Sequence, residues 1–393
     1  MLAFAPAPAP APAPASRKRI LCVRRRQRIP GAYCLMTLKQ LLADELRELA
    51  RVNRSDRPWE LPVAAALASG LPVFIGVAYD ELGLGLAGSL GGLVFLSLPP
   101  TQLAHRMAWL MACAFGMIAC HALGILANQV PALVVPLLVT ITILATMICR
   151  FYAAPPPGSL FFVTAASIAA YSPVRGQAAL AQVGAMALGT MLAVAIAFFY
   201  SLRMVGRGAV PAPSPPQDPD FDAVVVDSVV IGCFVGLALL AAQVLRLDRP
   251  YWVPVSCLAI ILGVSLRAAW TRHLQRILGT ALGLLLFLLI AQVPLGPWGV
   301  AAVMTVLTFI IETLVVRHYG MAAVFFTPLA ILLAEASQPV ALPPERLMQA
   351  RLVDTLLGAV LGLVGAACLH NARFRAAVGT VLRRLLPGGL SSR

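Results

Sequence analysis

The chain has 393 residues, of which 60% are apolar and only 12% charged, and its mean hydropathy is +0.86. Soluble domains carry about 25% charged residues, so this composition excludes an ordinary cytosolic enzyme and predicts an all-α polytopic membrane protein. The formal net charge of +14 would suggest nucleic-acid binding in a soluble protein; here it has first to be read against membrane topology.

Residues 1–35 open as an Ala-Pro alternation followed by Arg17, Lys18, Arg19, Arg24, Arg25, Arg26 and Arg28. Compositionally this is a disordered, polyproline-type and basic tail. No long apolar run follows it, so a cleavable signal peptide is not expected, and translation is expected to begin at Met36. Residues 36–58 then predict an amphipathic cytoplasmic helix, with Leu38, Leu41, Leu42, Leu46 and Leu49 near helical spacing. A bilayer takes about 20 apolar residues per helix. Six spans are predicted in 59–200, at 62–79, 82–99, 107–127, 131–149, 158–171 and 178–200. A Pro-rich cytoplasmic linker, 201–222, separates them from six more in 223–370, at 223–245, 251–266, 274–293, 298–316, 319–335 and 350–370. The spans at 158–171 and 319–335 are short, which leaves ten or eleven full crossings open. Residues 371–393 read as a basic cytoplasmic tail.

Basic residues orient the spans. With the N-terminus in the cytoplasm and twelve crossings, 25 Lys/Arg fall inside and only five outside, namely Arg175, Arg246, Arg249, Arg346 and Arg351. Both termini are therefore expected in the cytoplasm, and topology accounts for most of the net charge without a nucleic-acid partner. The eight cysteines show no CxxC pair and lie mostly in apolar runs, so they read as buried hydrophobes. No metal set and no nucleotide-binding signature occurs, and no cofactor is expected.

The two halves correspond in layout. Ala181-Gln-Val-Gly-Ala-Met-Ala-Leu-Gly189 matches Ala350-Arg-Leu-Val-Asp-Thr-Leu-Leu-Gly358, an offset of 169 residues (358 − 189). His105 precedes span three as His273 precedes span nine, and Phe161-Phe162-Val-Thr164 echoes Phe325-Phe326-Thr327. Six spans per half predict two parallel six-helix repeats, with a pseudo-twofold axis along the membrane normal and a path between them.

Four motifs occur in order in the second half: Tyr251-Trp252-Val-Pro254; Arg276-Ile-Leu-Gly279-Thr280-Ala-Leu-Gly283; Tyr319-Gly320 with Phe326-Thr327-Pro328; and Arg351-Leu-Val-Asp354-Thr355-Leu-Leu-Gly358. Over residues 223–370 the chain resembles the fusaric acid resistance (FUSC) family, which includes bacterial aromatic acid exporters. The first half resembles it in layout alone. More distantly, the fold is similar to the membrane part of plant aluminium-activated malate transporters. The resemblance implies a bacterial inner-membrane efflux protein for aromatic or other organic acids, working beside a periplasmic adaptor and an outer-membrane channel. Many family members carry a soluble cytoplasmic domain; only the 201–222 linker and the basic tail stand in its place.

Gly279/Gly283 and Gly358/Gly362 are GxxxG faces, which predict close helix packing in lipid. Thr280 would offer a hydroxyl to substrate if its helix reached the central path. Arg276 and Arg351 are candidate carboxylate binders, since a charge at membrane depth costs at least ~2.5–3.5 kcal/mol at mid-helix and so faces protein or water. The alternatives are a positive-inside anchor for Arg276 and a local Arg351–Asp354 pair on one helix face. Asp354, Glu312 and Asp227 are candidate proton-coupling acids, because desolvation disfavours a charged carboxyl group. For Glu312 a pair with Arg317 is the competing account. Tyr251 and Trp252 fit an interfacial aromatic belt or a stacking site for an aromatic substrate. His121 reads as an interior histidine. The function expected is proton-coupled secondary export of organic anions. A passive anion channel or a non-transporting subunit of an envelope assembly are the alternatives, a membrane enzyme lacks a catalytic cluster, and a homo-oligomer stays open.

Overall fold

The computed structural model describes Arg47 and residues 52–55, 57–207, 221–263, 265–336 and 343–385. The Ala/Pro and basic tail, most of the amphipathic segment, the linker's 208–220 and the last residues of the basic tail lie outside the described residues. Arg47 is helical and exposed. The amphipathic helix does not reach residue 58: residues 52–55, 57 and 58 are irregular, and the Asn53 N–H donates to the Arg317 carbonyl at 2.8 Å.

Thirteen helices occur among the described residues, with no strand. The first six are α1 (Glu60–Ala78), α2 (Leu82–Gly92, continued by a 3-10 turn Leu93–Ser97), α3 (Leu103–Asn128), α4 (Val134–Phe151), α5 (Leu160–Ala169) and α6 (Gln177–Gly206). The second six are α7 (Phe221–Val244), α8 (Trp252–Ile261), α9 (Leu266–Ala291), α10 (Pro297–Leu314), α11 (Tyr319–Glu335) and α12 (Pro344–Leu369). An amphipathic helix, α13 (Ala372–Leu385), follows where a plain tail was expected. Local signals set the ends. Pro297 and Pro344 occupy first-turn positions, where a missing N–H costs nothing. Ser265 Oγ accepts from the Ala268 N–H at 3.1 Å to start α9, and His318 Nδ1 accepts from the Met321 N–H at 3.0 Å to start α11. Pro136 and Pro254 sit in first turns and break nothing; Pro328 lies inside α11.

Among the described residues, eight helices are long and apolar enough to cross a membrane: α1, α3, α4, α6, α7, α9, α10 and α12. The other four, α2, α5, α8 and α11, are shorter apolar helices. Each set of six thus runs long, short, long, long, short, long. The packing repeats with the lengths. α2 lies parallel to α6, with Gly88 against Ala185 and Gly91 against Met186 and Thr190; α8 lies parallel to α12, with Gly358 against Val253, Gly362 against Cys257 and Gly365 against Ile261. α3 and α5 run parallel through Gly116–Phe162 and Gly124–Ala166, as α9 and α11 do through Gly279–Ala323 and Gly283–Thr327. Across the halves, α1 packs antiparallel on α10 (Gly70 on Thr305, Phe74 on Trp298), and its counterpart α7 packs antiparallel on α4 (Gly236 on Val139, Gly232 on Ile143). The short helices meet across the centre, α5 on α8 and α2 on α11. Large apolar side chains such as Leu180, Leu188, Met191 and Phe199 on α6 and Leu278, Leu282, Leu285 and Leu289 on α9 stand exposed on the outer face. Such a belt suits lipid and not water.

Candidate functional site

A cavity of about 1150 Å³ lies between the two sets of six. It is lined by the starts of α1, α5, α9 and α11, by the ends of α2, α4 and α10, and by α8 along its length; this is its open end. It reaches inward to Trp252 on α8, Leu333 on α11 and Arg351 on α12. Its walls carry Arg57, Arg150, Arg267, Arg272, Arg276 and Arg351 against a single acid, Glu312, among the described residues. Asp227, just outside the lining, pairs with Arg150, and the walls still hold more guanidinium than carboxylate, which favours an anionic occupant.

Arg276 is buried on α9, and its guanidinium donates to the Tyr319 hydroxyl at 3.2 Å and to Ser256 Oγ at 3.3 Å, both neutral partners. It is not the exposed anchor that one reading of the sequence allowed. Arg351 stacks over the Trp252 ring at 4.0 Å to the centroid, and its Nε and Nη1 donate to nothing. The two guanidiniums act on each other electrostatically. A buried cation is costly until it is paired, so two arginines held by hydroxyls and a ring are poised for carboxylate.

The Arg351–Asp354 pair, one of the two readings of the sequence, is not formed. Both carboxyl oxygens of Asp354 are buried without a hydrogen-bond partner, and so is Thr355 Oγ1 beside it. Asp354 lies in the packed interior one turn from the Arg351 position, outside the cavity lining. Glu312 does line the cavity. Its neighbour is Arg57, at 3.9 Å, and not Arg317. Arg57 comes from the irregular segment before α1, so that segment lies over the cavity mouth. Asp227 stands apart. Its carboxylate is shared between Arg150 at 2.6 Å and Arg375 of α13 at 3.0 Å, outside the cavity lining. Doubly paired, it ties α13 to α4 and α7, which is the work of a structural counter-ion.

Thr280 is buried in α9 outside the cavity lining, and Tyr251 also lies outside it. Tyr251 and Trp252 are 6% and 5% exposed, so neither belongs to an interfacial belt. Their rings pack at 5.2 Å, Trp252 facing the cavity and Tyr251 the opposite side. Gly279 meets Ala323 and Gly320, Gly283 meets Val324, Gly358 meets the Val253 carbonyl and Gly362 the Cys257 carbonyl. These contacts press α9 on α11 and α12 on α8, and so fix where Arg276 and Arg351 stand. His121 is buried at a small cavity of about 60 Å³ with Tyr171, Gln182 and Tyr251.

Sequence reasoning missed three residues of this region. Tyr319 stood in a motif and Ser256 in none, and as neutral groups neither shows a binding role until it is placed beside a charge. Glu335 closes the apolar run Ala330-Ile-Leu-Leu-Ala-Glu335 and passed as a span end. In the structure its carboxylate accepts from Arg249 at 2.6 Å and from the Tyr251 hydroxyl at 3.0 Å.

Residues 237–365 match the family model described as fusaric acid resistance protein-like. The chain is similar to the uncharacterized membrane protein YvaC of Bacillus subtilis (strain 168), with 33% identity over 138 residues. That stretch is 34% of this chain and 22% of the relative, so the match spans about a fifth of that protein's length. No solved structure matches. The matched residues run from α7 to α12 and supply Trp252, Arg276, Tyr319 and Arg351 of the cavity. Among the described residues this is an all-helical, multi-pass membrane protein, and its residues 237–365 are similar to the fusaric acid resistance protein-like family.

Proposed function

We propose that the chain is a secondary exporter of aromatic or other organic acids in the bacterial inner membrane, coupled to the proton gradient. The observation that carries this reading is the guanidinium-rich cavity ending at Arg276, Arg351 and Trp252. A carboxylate fits the arginines, an aromatic body fits against the cavity-lining side of Trp252, and the apolar walls take the remainder. The count of basic residues orients the open end toward the cytoplasm. The cavity then loads from inside, as export requires.

Coupling falls to Asp354 and Glu312. While Asp354 is ionised it offsets Arg351 through space, three residues away on α12. The charge on Asp354 therefore sets how strongly Arg351 holds a carboxylate, without any new contact. A passive channel needs a continuous path, whereas the far side of Trp252 is blocked by the Arg249–Glu335–Tyr251 cluster. The test is efflux of labelled benzoate and related acids from vesicles holding the purified chain. Export that stops with an uncoupler and with Arg351→Gln is expected. Export that persists through the uncoupler removes proton coupling, and export that persists in Arg351→Gln removes the site.

A further inference from the structure

Beyond Trp252, where α5, α7 and α11 end and α8 begins, the path is shut by one set of side chains. Glu335 at the end of α11 reaches across to α8. Its Oε2 accepts from Arg249 Nη2 at 2.6 Å and its Oε1 from the Tyr251 hydroxyl at 3.0 Å. The Tyr251 ring packs on Tyr171 at 5.9 Å, and the Tyr171 hydroxyl accepts from Gln243 Nε2 at 2.8 Å. The cluster therefore joins α5 and α7 to α8 and α11. Side-chain exposure of 23% for Arg249 and 9% for Glu335 places the pair at the rim of the closed end. Arg249 also keeps a buried Nε–H that donates to nothing.

Each oxygen of one carboxylate is thus held by its own donor, a guanidinium and a phenol, with a further guanidinium N–H left over. This is a carboxylate-binding site whose occupant belongs to the chain itself. Chemically the occupant is the same group that the cavity is built to receive. The two sites are also mechanically joined. Arg351 stacks on Trp252, Trp252 packs on Tyr251, and Tyr251 holds Glu335.

We propose that Arg249 and Tyr251 form an exit subsite for an organic carboxylate, filled in the closed state by Glu335 and taken over by the departing anion. Exchange of one carboxylate for another keeps the charge on Arg249 paired throughout, so the block opens without baring a buried cation. The released Glu335 then stands as a like charge behind the anion and disfavours its return. The proposal rests on the transport reading above, and its test reads the closed end directly.

Leu333 lies between the large cavity and the small one beneath the cluster. With Leu333→Cys in right-side-out vesicles, an impermeant maleimide added outside reports opening of that end, measured against the parent chain with its native cysteines. Glu335→Gln keeps the shape and weakens the pair, and should speed labelling on the order of tenfold. Benzoate added outside at tens of millimolar should slow labelling in Glu335→Gln by filling the vacated site, and should not do so in Arg249→Gln/Glu335→Gln. Arg249→Glu/Glu335→Arg rebuilds an ion pair, so it should label as slowly as the parent yet export no benzoate. Labelling of Glu335→Gln within twofold of the parent overturns the closure. Absence of benzoate protection, or full export by the charge-swapped chain, overturns the subsite. If wild-type vesicles show no coupled efflux while benzoate protection holds, the exporter reading falls and the subsite stands.

Discussion

Replacing Gly362 by alanine tests whether contact between α8 and α12 sets the site. A Cβ at 362 would stand 2.6 Å from the Cys257 carbonyl oxygen and 3.0 Å from Ile260 Cβ. An ordinary carbon–oxygen contact is about 3.3 Å, so the helices must part by about 0.7 Å (3.3 − 2.6). Overpacking of this kind costs about 1–3 kcal/mol, set against a gain of about 0.5–1 kcal/mol for alanine over glycine in a helix. The net expectation is a loss of about 0–2.5 kcal/mol. Gly184 on α6 is the control, because a Cβ there meets nothing within 4 Å, so Gly184→Ala should be neutral or stabilising. The assay is thermal unfolding of both variants in one detergent, followed by tryptophan fluorescence. Because α8 carries Trp252 and α12 carries Arg351, Gly362→Ala should also weaken benzoate binding. A Gly362→Ala chain as stable as Gly184→Ala would refute the argument from contact distance.

Trp252→Ala removes the ring beneath Arg351 and should weaken benzoate binding by about five- to tenfold; equilibrium binding to the purified chain measures it, and an unchanged affinity counts against stacking. Asp354→Asn removes a buried acid whose oxygens make no hydrogen bond, so the melting temperature should hold or rise while uncoupler-sensitive efflux stops. A variant that melts earlier but transports normally contradicts that role. Asp227→Asn leaves Arg150 and Arg375 without their shared carboxylate, and amide hydrogen exchange in α13 should accelerate by about tenfold. Unaltered exchange shows that α13 is held by other contacts.

Hydropathy made the long helices legible: the span expected at 223–245 is α7, Phe221–Val244, and the one at 298–316 is α10, Pro297–Leu314. It failed at charges. The ninth span was expected from 274, but α9 begins at Leu266 and carries Arg267, Arg272, His273 and Arg276 in its first turns. Those residues face a cavity and protein acceptors, so the helix continues where a lipid-facing one would stop. α12 likewise starts at Pro344, ahead of the apolar run from 350. The span expected at 319–335 is α11, whereas those at 158–171 and 251–266 were overdrawn for the opposite reason: apolar residues continue past Ile261 to Gly263, although the backbone has already turned. Trp252, Arg276 and Arg351 stood out because an arginine or tryptophan in such a sequence has few places to go. The ties among them did not, since the packing and hydrogen bonds that join α8, α9 and α12, Arg276 to Ser256 and His273 to Ala359, link residues far apart in sequence.

A ten-residue helix such as α8 cannot settle in a bilayer alone, and the groove that receives it is built from α12, which the ribosome makes about ninety residues later. Biogenesis must therefore run out of order. The Trp252–Ile261 segment has to be held at the insertion machinery until Pro344–Leu369 emerges. A nascent chain arrested between them would leave α8 without the helix on which it packs.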